Sequence, residues 1–183
     1  MKSADHILIR PEETIVFLVY PQDVNYKYAR LLSTVQPGVA VGPHRHPNLT
    51  ETFRLITDVT ATLVINGKAH HLTPHDPIAT TILPNEVHEW VNDTNKPLTF
   101  EVNFYPVGDH SLQEIDVINA FTSYFALTNE SQQNPDLVHK LTTAIRFAVL
   151  EYTFRNYCVS VSLVARVKVF LLAMAGQVLG LKP

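Results

Sequence analysis

Proline and glycine are spread unevenly along this chain, and that unevenness limits its fold more than any other feature. Nine of the 12 prolines lie between Pro21 and Pro106, together with three of the six glycines. After Gly108 only Pro135 interrupts the sequence until Gly176. Proline lacks a backbone N–H and glycine gives up conformational freedom, so both punctuate regular elements. Dense punctuation predicts short strands joined by turns in the first part; its near absence predicts helices in the second.

Strands are expected over residues 14–20, 27–36, 51–57, 59–65, 68–72, 78–83, 88–92 and 98–105. Asn66-Gly67 sits between two of these runs and suits a hairpin turn that needs positive φ. In Leu98-Thr-Phe100-Glu-Val102-Asn-Phe104, alternation makes one face apolar and the other polar, as in a strand with one face in a core. Eight short strands with regular turns fit a closed or two-sheet antiparallel jelly roll.

The tail reads as helix. Residues 112–127 are rich in apolar side chains, with Glu114 and Asp116 in the first turns, where the helix dipole favours acids. Asn134-Pro135 gives a cap-and-proline start to a second helix carrying Val138, Leu141, Ile145, Ala148 and Tyr152 at helical spacing. A third places Val164, Val167, Leu171, Met174 and Val178 on one stripe, with Arg166 and Lys168 off it. Its uncharged run from Val169 to Leu181 falls short of the roughly 20 residues that span a bilayer. The expected roles are a packing or homodimer helix, with peripheral membrane contact as the alternative. The chain thus divides into a β-domain over 1–109 and a helical extension over 110–183.

Composition sets further bounds. Hydrophobic content of 46% with 17% charged residues describes a chain able to bury a core. Cys158 is the single cysteine, which excludes an internal disulfide framework and a cysteine-based zinc cluster. Residues 1–139 carry 8 Lys/Arg against 16 Asp/Glu, whereas residues 140–183 carry 6 against Glu151 alone. An acidic first part argues against nucleic acid as partner, since phosphate contacts need clustered basic groups. No basic start precedes an apolar run at the N-terminus, so the expected location is intracellular, cytoplasmic or peripherally membrane-associated.

Four residues carry the chemistry. His44, His46 and Glu51 lie in Gly38-Val-Ala-Val-Gly-Pro-His44-Arg-His46-Pro-Asn-Leu-Thr-Glu51, and His88 in Pro77-x5-Leu83-Pro-Asn85-Glu-Val-His88-x3-Asn92. Histidines at i and i+2 on a strand point to one face. Imidazole and carboxylate together suit iron, manganese, nickel or zinc better than calcium or magnesium. His70, His71 and His75 have no accompanying carboxylate spacing and read as ordinary residues; His6, His110 and His139 support no functional claim.

The two strings resemble the paired motifs of the cupin superfamily, over roughly residues 14 to 106. The first is complete from Gly38 to Glu51, with Asp58 replacing its last glycine. The second keeps His88 and Asn92 in register but has Pro77, Leu83 and Asn85 where Gly, Pro and Gly are usual. Asn85 can still make the turn, because Asn tolerates the left-handed region. The resemblance implies a mainly β fold, the cupin double-stranded β-helix or jelly-roll barrel, followed here by C-terminal α-helices. It also implies one divalent metal ion held by His44, His46, Glu51 and His88, with iron the first choice and manganese, nickel or zinc the others.

Strand parity extends the reading to a substrate. With Glu51 and His88 inward, Phe53, Leu55 and Trp90 also point inward, and Arg54 and Glu89 away. Adding Phe100, Val102 and Phe104 gives an apolar and aromatic wall, suited to an apolar small molecule that chelates the metal through two oxygens. Dioxygenase-type oxidation is the leading expectation. The alternatives are non-redox Lewis-acid chemistry (isomerase, dehydratase, cyclase or decarboxylase, as in natural-product tailoring), a non-enzymatic small-molecule-binding module, and a storage cupin.

Overall fold

The computed structural model describes residues 7–74, 79–133, 136–161 and 163–182. In chain order the strands are β1 (Ile7–Arg10), β2 (Glu13–Val19), β3 (Ala29–Val35), β4 (Ala40–Arg45), β5 (Leu49–Leu55), β6 (Ala61–Ile65), β7 (Lys68–Leu72), β8 (Thr80–Ile82), β9 (His88–Val91), β10 (Leu98–Pro106) and β11 (Val159–Ser160). They form two antiparallel sheets, ordered β1-β2-β3-β10-β5-β8 and β11-β4-β9-β6-β7. The helices are α1 (Leu112–Ile115), α2 (Val117–Gln133), α3 (Leu137–Thr153) and α4 (Leu163–Val178).

Alternation builds the barrel as expected. In β5, Leu49, Glu51, Phe53 and Leu55 are buried while Arg54 is exposed. In β9, His88 and Trp90 are buried and Val91 is exposed. The β6–β7 hairpin turns through Asn66 and Gly67 at φ 49° and 77°, and Asn85 sits at φ 66°. The strand expected over 68–72 coincides with β7, and the others shift at their ends by a residue or two. Pro77 and His75, and residue 78 of an expected strand, lie outside the described residues.

Three strands fall outside that expectation, and β4 is the important one. Gly42 and Pro43 interrupt its alternation, and its register against β9 shifts between Val41 and His44. The irregularity brings His44 directly opposite His88. A bulge of this kind re-aims a side chain locally.

The tail differs from its expected form at two points. The helix over 112–127 is broken at Asp116, which adopts φ 53° and accepts a 2.7 Å hydrogen bond from Asn119 Nδ2. Asp116 therefore ends α1 instead of lying within a first turn. Asn134-Pro135 lies outside the described residues; the observed cap of α3 is Asp136, which accepts from the His139 N–H at 3.0 Å. The side chains of Glu114, Val138, Val164, Val167 and Arg166 also lie outside what is described.

Leu112, Ile115, Val117 and Phe125 belong to the same buried core as Phe17, Phe53 and Phe104, so one core runs from the barrel into α2. Asn129 Nδ2 donates to the Ile9 carbonyl at 2.9 Å, tying α2 to the β1 edge. The helices α3 and α4 meet at Gly176, where a Cβ would lie 2.5 Å from Val149 Cγ2. None of the described helices is long and apolar enough to cross a membrane.

Candidate metal centre

The four sequence-selected residues converge. Each of His44, His46, Glu51 and His88 offers one ligand atom, and these atoms all lie within 4.8 Å of one another. His46, Glu51 and His88 are buried, and His44 is partly open. Glu51 comes from the middle of β5, His88 from the start of β9, His44 from β4, and His46 from just beyond the end of β4. Such a cluster could bind one metal ion.

Hydrogen bonds fix how the imidazoles present themselves. Nδ1 of His44 lies 2.9 Å from the Gly42 carbonyl, Nδ1 of His46 2.5 Å from the Tyr157 carbonyl, and Nδ1 of His88 3.1 Å from the Glu86 carbonyl. A carbonyl oxygen only accepts, so each Nδ1 carries the hydrogen and donates it. The lone pair of every neutral ring is then on Nε2, the usual arrangement of imidazoles oriented as ligands. Glu51 Oε2 is 2.9 Å from His88 Nε2 and 3.3 Å from His46 Nε2. Despite that proximity, Glu51 Oε2 and His88 Nε2 are buried polar atoms without a hydrogen-bond partner. Leaving such atoms unsatisfied is costly, and a cation among them removes the cost. The donor set fits a divalent transition metal.

The electrostatics follow from crowding. Burial, with His46 and His88 beside it, pushes the His44 imidazole down to about 3. Burial alone would raise the Glu51 carboxyl, but His46 and His88 outweigh it and hold Glu51 below the usual carboxylate range. For His88, burial lowers the imidazole and contact with Glu51 more than offsets it, leaving the net shift upward. An ionised carboxylate thus stands among nitrogen donors before any ligand arrives.

A cavity of about 620 Å³ adjoins this cluster. Of the expected wall residues, Phe53, Trp90, Val102 and Phe104 line it. Leu55 and Phe100 do not: they are paired neighbours on β5 and β10, and Phe100 packs behind Phe53 and Trp90 at ring distances of 6.0 and 4.6 Å. Both are buried, as parity expects, but Phe53 and Trp90 form the wall in front of Phe100.

Several site residues escaped the sequence reading. Tyr157 supplies the His46 acceptor, and its ring lies 4.8 Å from His46 and 5.7 Å from Phe104. β11 then pairs with β4, setting Ser160 opposite His44, so the tail braces the histidine strand. α2 and α3 add Phe121, Tyr124, Phe147 and Glu151 to the cavity wall. No local pattern announces these contacts, which join residues 53 or more positions apart, 111 in the case of His46 and Tyr157. Glu13 is different: it continues the inward series of Ile15 and Phe17, and starting β2 one residue earlier would have found it. Asn92, the last motif residue, is a buried clamp, with Nδ2 donating to the Val35 and Lys96 carbonyls at 2.9 Å each. His70 and His71 are exposed on β7 and stand apart from the cluster.

No family model matches the sequence, and no curated protein matches it. Solved structures do resemble the fold. A predicted oxalate decarboxylase from Thermotoga maritima is 18% identical with TM-score 0.50, over 58% of this chain and 95% of that one. The cupin_2 domain of an XRE-family transcriptional regulator from Enterobacter cloacae is 17% identical with TM-score 0.45, over 53% and 99%. A cupin-superfamily sugar phosphate isomerase from Silicibacter pomeroyi is 20% identical with TM-score 0.44, over 52% and 60%. With two facing antiparallel sheets and the His/Glu cluster between them, this chain has the cupin double-stranded β-helix fold, extended by C-terminal helices.

Proposed function

We propose that this chain is a mononuclear metal-dependent enzyme acting on an apolar or aromatic small molecule, with dioxygen-dependent oxidation as the first reading. One observation carries it: three imidazoles with Nδ1 committed to carbonyls cluster with a carboxylate, Nε2 of His46 and His88 facing its Oε2, which has no hydrogen-bond partner, beside a 620 Å³ cavity. His44, His46, Glu51 and His88 would hold a divalent ion, iron first and manganese, nickel or zinc next, which supplies Lewis acidity and, for a redox metal, one-electron chemistry with dioxygen. Four protein donors would leave such an ion able to take a substrate that chelates through two oxygens.

The chain's own residues do the rest. Glu51, held ionised, would balance the charge of a bound cation. Phe53, Trp90, Val102 and Phe104 offer apolar and aromatic surface to an aromatic substrate body and favour its burial. The Tyr157 carbonyl keeps His46 in one tautomer and one rotamer.

A second reading, non-redox isomerisation, dehydration, cyclisation or decarboxylation, is favoured by a separate observation. Glu13, Glu151 and Tyr157 also line the cavity, and carboxylates and phenols can move protons. Metal analysis of the purified protein comes first, followed by turnover of a panel of aromatic diols and β-diketones with and without oxygen. Uptake of labelled dioxygen into product supports oxidation. Product formed equally well in an anaerobic cell rules it out in favour of the non-redox reading. Product formation that persists in His46→Ala overturns the metal-centred account altogether.

A further inference from the structure

The barrel wall contains a second polar cluster that the metal reading does not use. Glu13 and Ser33 occupy inward positions of β2 and β3, in rows otherwise filled by Ile15, Phe17, Leu31 and Val35. Ser33 Oγ donates to Glu13 Oε1 at 2.7 Å, and Arg10 Nη2 donates to Glu13 Oε2 at 2.7 Å. Arg10 Nη1 reaches Tyr124 OH at 3.3 Å, and the guanidinium lies over the Tyr124 and Phe125 rings at 5.1 and 5.2 Å. Arg10, Glu13, Ser33, Tyr124 and Phe125 line the same cavity as His44 and Glu51.

An ion pair at such a place is not a favourable way to build a wall. Desolvating both charges is expensive, and apolar residues of equal volume are often at least as stabilising. The cluster also has hydrogen-bonding capacity left. Arg10 Nε is buried without a partner, and each Glu13 oxygen accepts only one of the bonds it could take. Because the guanidinium and carboxylate already neutralise each other, a further net charge gains little here. A neutral hydroxyl suits such a place: it gives its proton to a Glu13 oxygen, which has acceptor capacity left, and adds no net charge.

Sheet register gives the distance. Ser33 stands opposite Phe100, and Glu51 opposite Phe104, so the two lie two strands and four residues apart. At ordinary strand spacings that is on the order of 15 Å between backbones, shortened by side chains that reach inward. A body of about three fused rings spans it.

We propose that Arg10, Glu13 and Ser33 form a second subsite that receives a hydroxyl at the end of the substrate remote from its chelating oxygens. The substrate class is therefore a flat, largely apolar polycycle with a chelating oxygen pair at one end and a hydroxyl at the other. This rests on the metal-dependent reading above, and the test separates the two.

The probes are 1,2-dihydroxyanthraquinone, which can only chelate, and 1,2,6-trihydroxyanthraquinone, which adds the distal hydroxyl. Both are titrated into full-length, metal-loaded protein, with the visible band of the chelated dye as readout. The trihydroxy compound is expected to bind at least about tenfold more tightly, because a buried charged site penalises an analogue that leaves it unpartnered. Glu13→Gln and the double variant Arg10→Met/Glu13→Leu are expected to abolish that preference while metal stoichiometry stays the same. The double variant leaves no unpaired buried charge, so it keeps the test alive if Glu13→Gln is poorly folded. Equal affinity of the two dyes for the parent protein, or a preference retained in both variants, overturns the subsite alone. A parent protein that takes up no metal, or shows no chelate band with either dye, overturns the metal-dependent reading and the subsite with it.

Discussion

The barrel and the last helix dispose their apolar side chains differently. The barrel exposes some at its edges and outer face, such as Ile9 and Val91, but sets Phe100, Phe104, Leu31 and Leu63 almost wholly buried in its core. In α4 they face outward as well, with Val178 85% and Leu171 61% exposed. Strand pairing fixes the barrel through many long ladders, whereas α4 packs chiefly on α3. The tail nevertheless controls the site, because the segment between α3 and α4 places Tyr157 against His46 and β11 against β4. The lesson is that a weakly packed region can hold a functional position through a few contacts near its attachment point.

The sharpest way to break this comparison is at the ligands. His46→Ala or Glu51→Ala is expected to lower metal affinity by at least about 100-fold, more than loss of an orienting partner does. Elemental analysis after dialysis measures it, and the barrel's strand signal by circular dichroism should survive. If metal content is unchanged, the barrel end of the contrast is wrong.

The tail's contribution is tested next. Burial pushes the Cys158 thiol up to about 12, from 9.0 for a free group. The folded protein thus holds this proton more tightly than the unfolded chain, so near neutral pH almost no thiolate exists. Alkylation at pH 8 should run roughly 1,000-fold slower in the native protein than in denaturant. Linkage gives the matching sign: this group's contribution to stability is complete below pH 9 and is lost as pH rises toward 12. Fast native alkylation would show that the Tyr157–Cys158 segment is not packed over the site.

A smaller effect probes whether α4 is a separable layer. Gly176→Ala puts a methyl 2.5 Å from Val149 Cγ2 and 2.9 Å from Ile145 Cγ2, and should cost about 1–3 kcal/mol of helix packing. Hydrogen exchange is expected to quicken in α3 and α4 and to stay unchanged in β5 and β10. The smallest change is at the exposed stripe: Leu171→Ser or Val178→Ser should alter stability by no more than about 0.5 kcal/mol. Analytical ultracentrifugation and liposome partitioning of these variants decide between a dimer face and a membrane face. Parent-like behaviour in both assays removes both roles.

Much of this molecule could be read without coordinates. Alternation in β5 and β9 determined which side chains face inward, because strand parity is a property of the backbone alone. Asn66-Gly67 specified its hairpin for the same local reason. The two motif strings, through their family resemblance, then picked out His44, His46, Glu51 and His88, which the structure brings together. Tertiary structure decided the rest. It made Leu55 and Phe100 backing instead of wall, because bulk is shared among neighbours that parity cannot rank. It brought Tyr157 to His46 and Tyr124 to Arg10, contacts between residues far apart in the chain. Local pattern fixes direction along a strand, whereas only packing of distant segments fixes what a side chain finally meets.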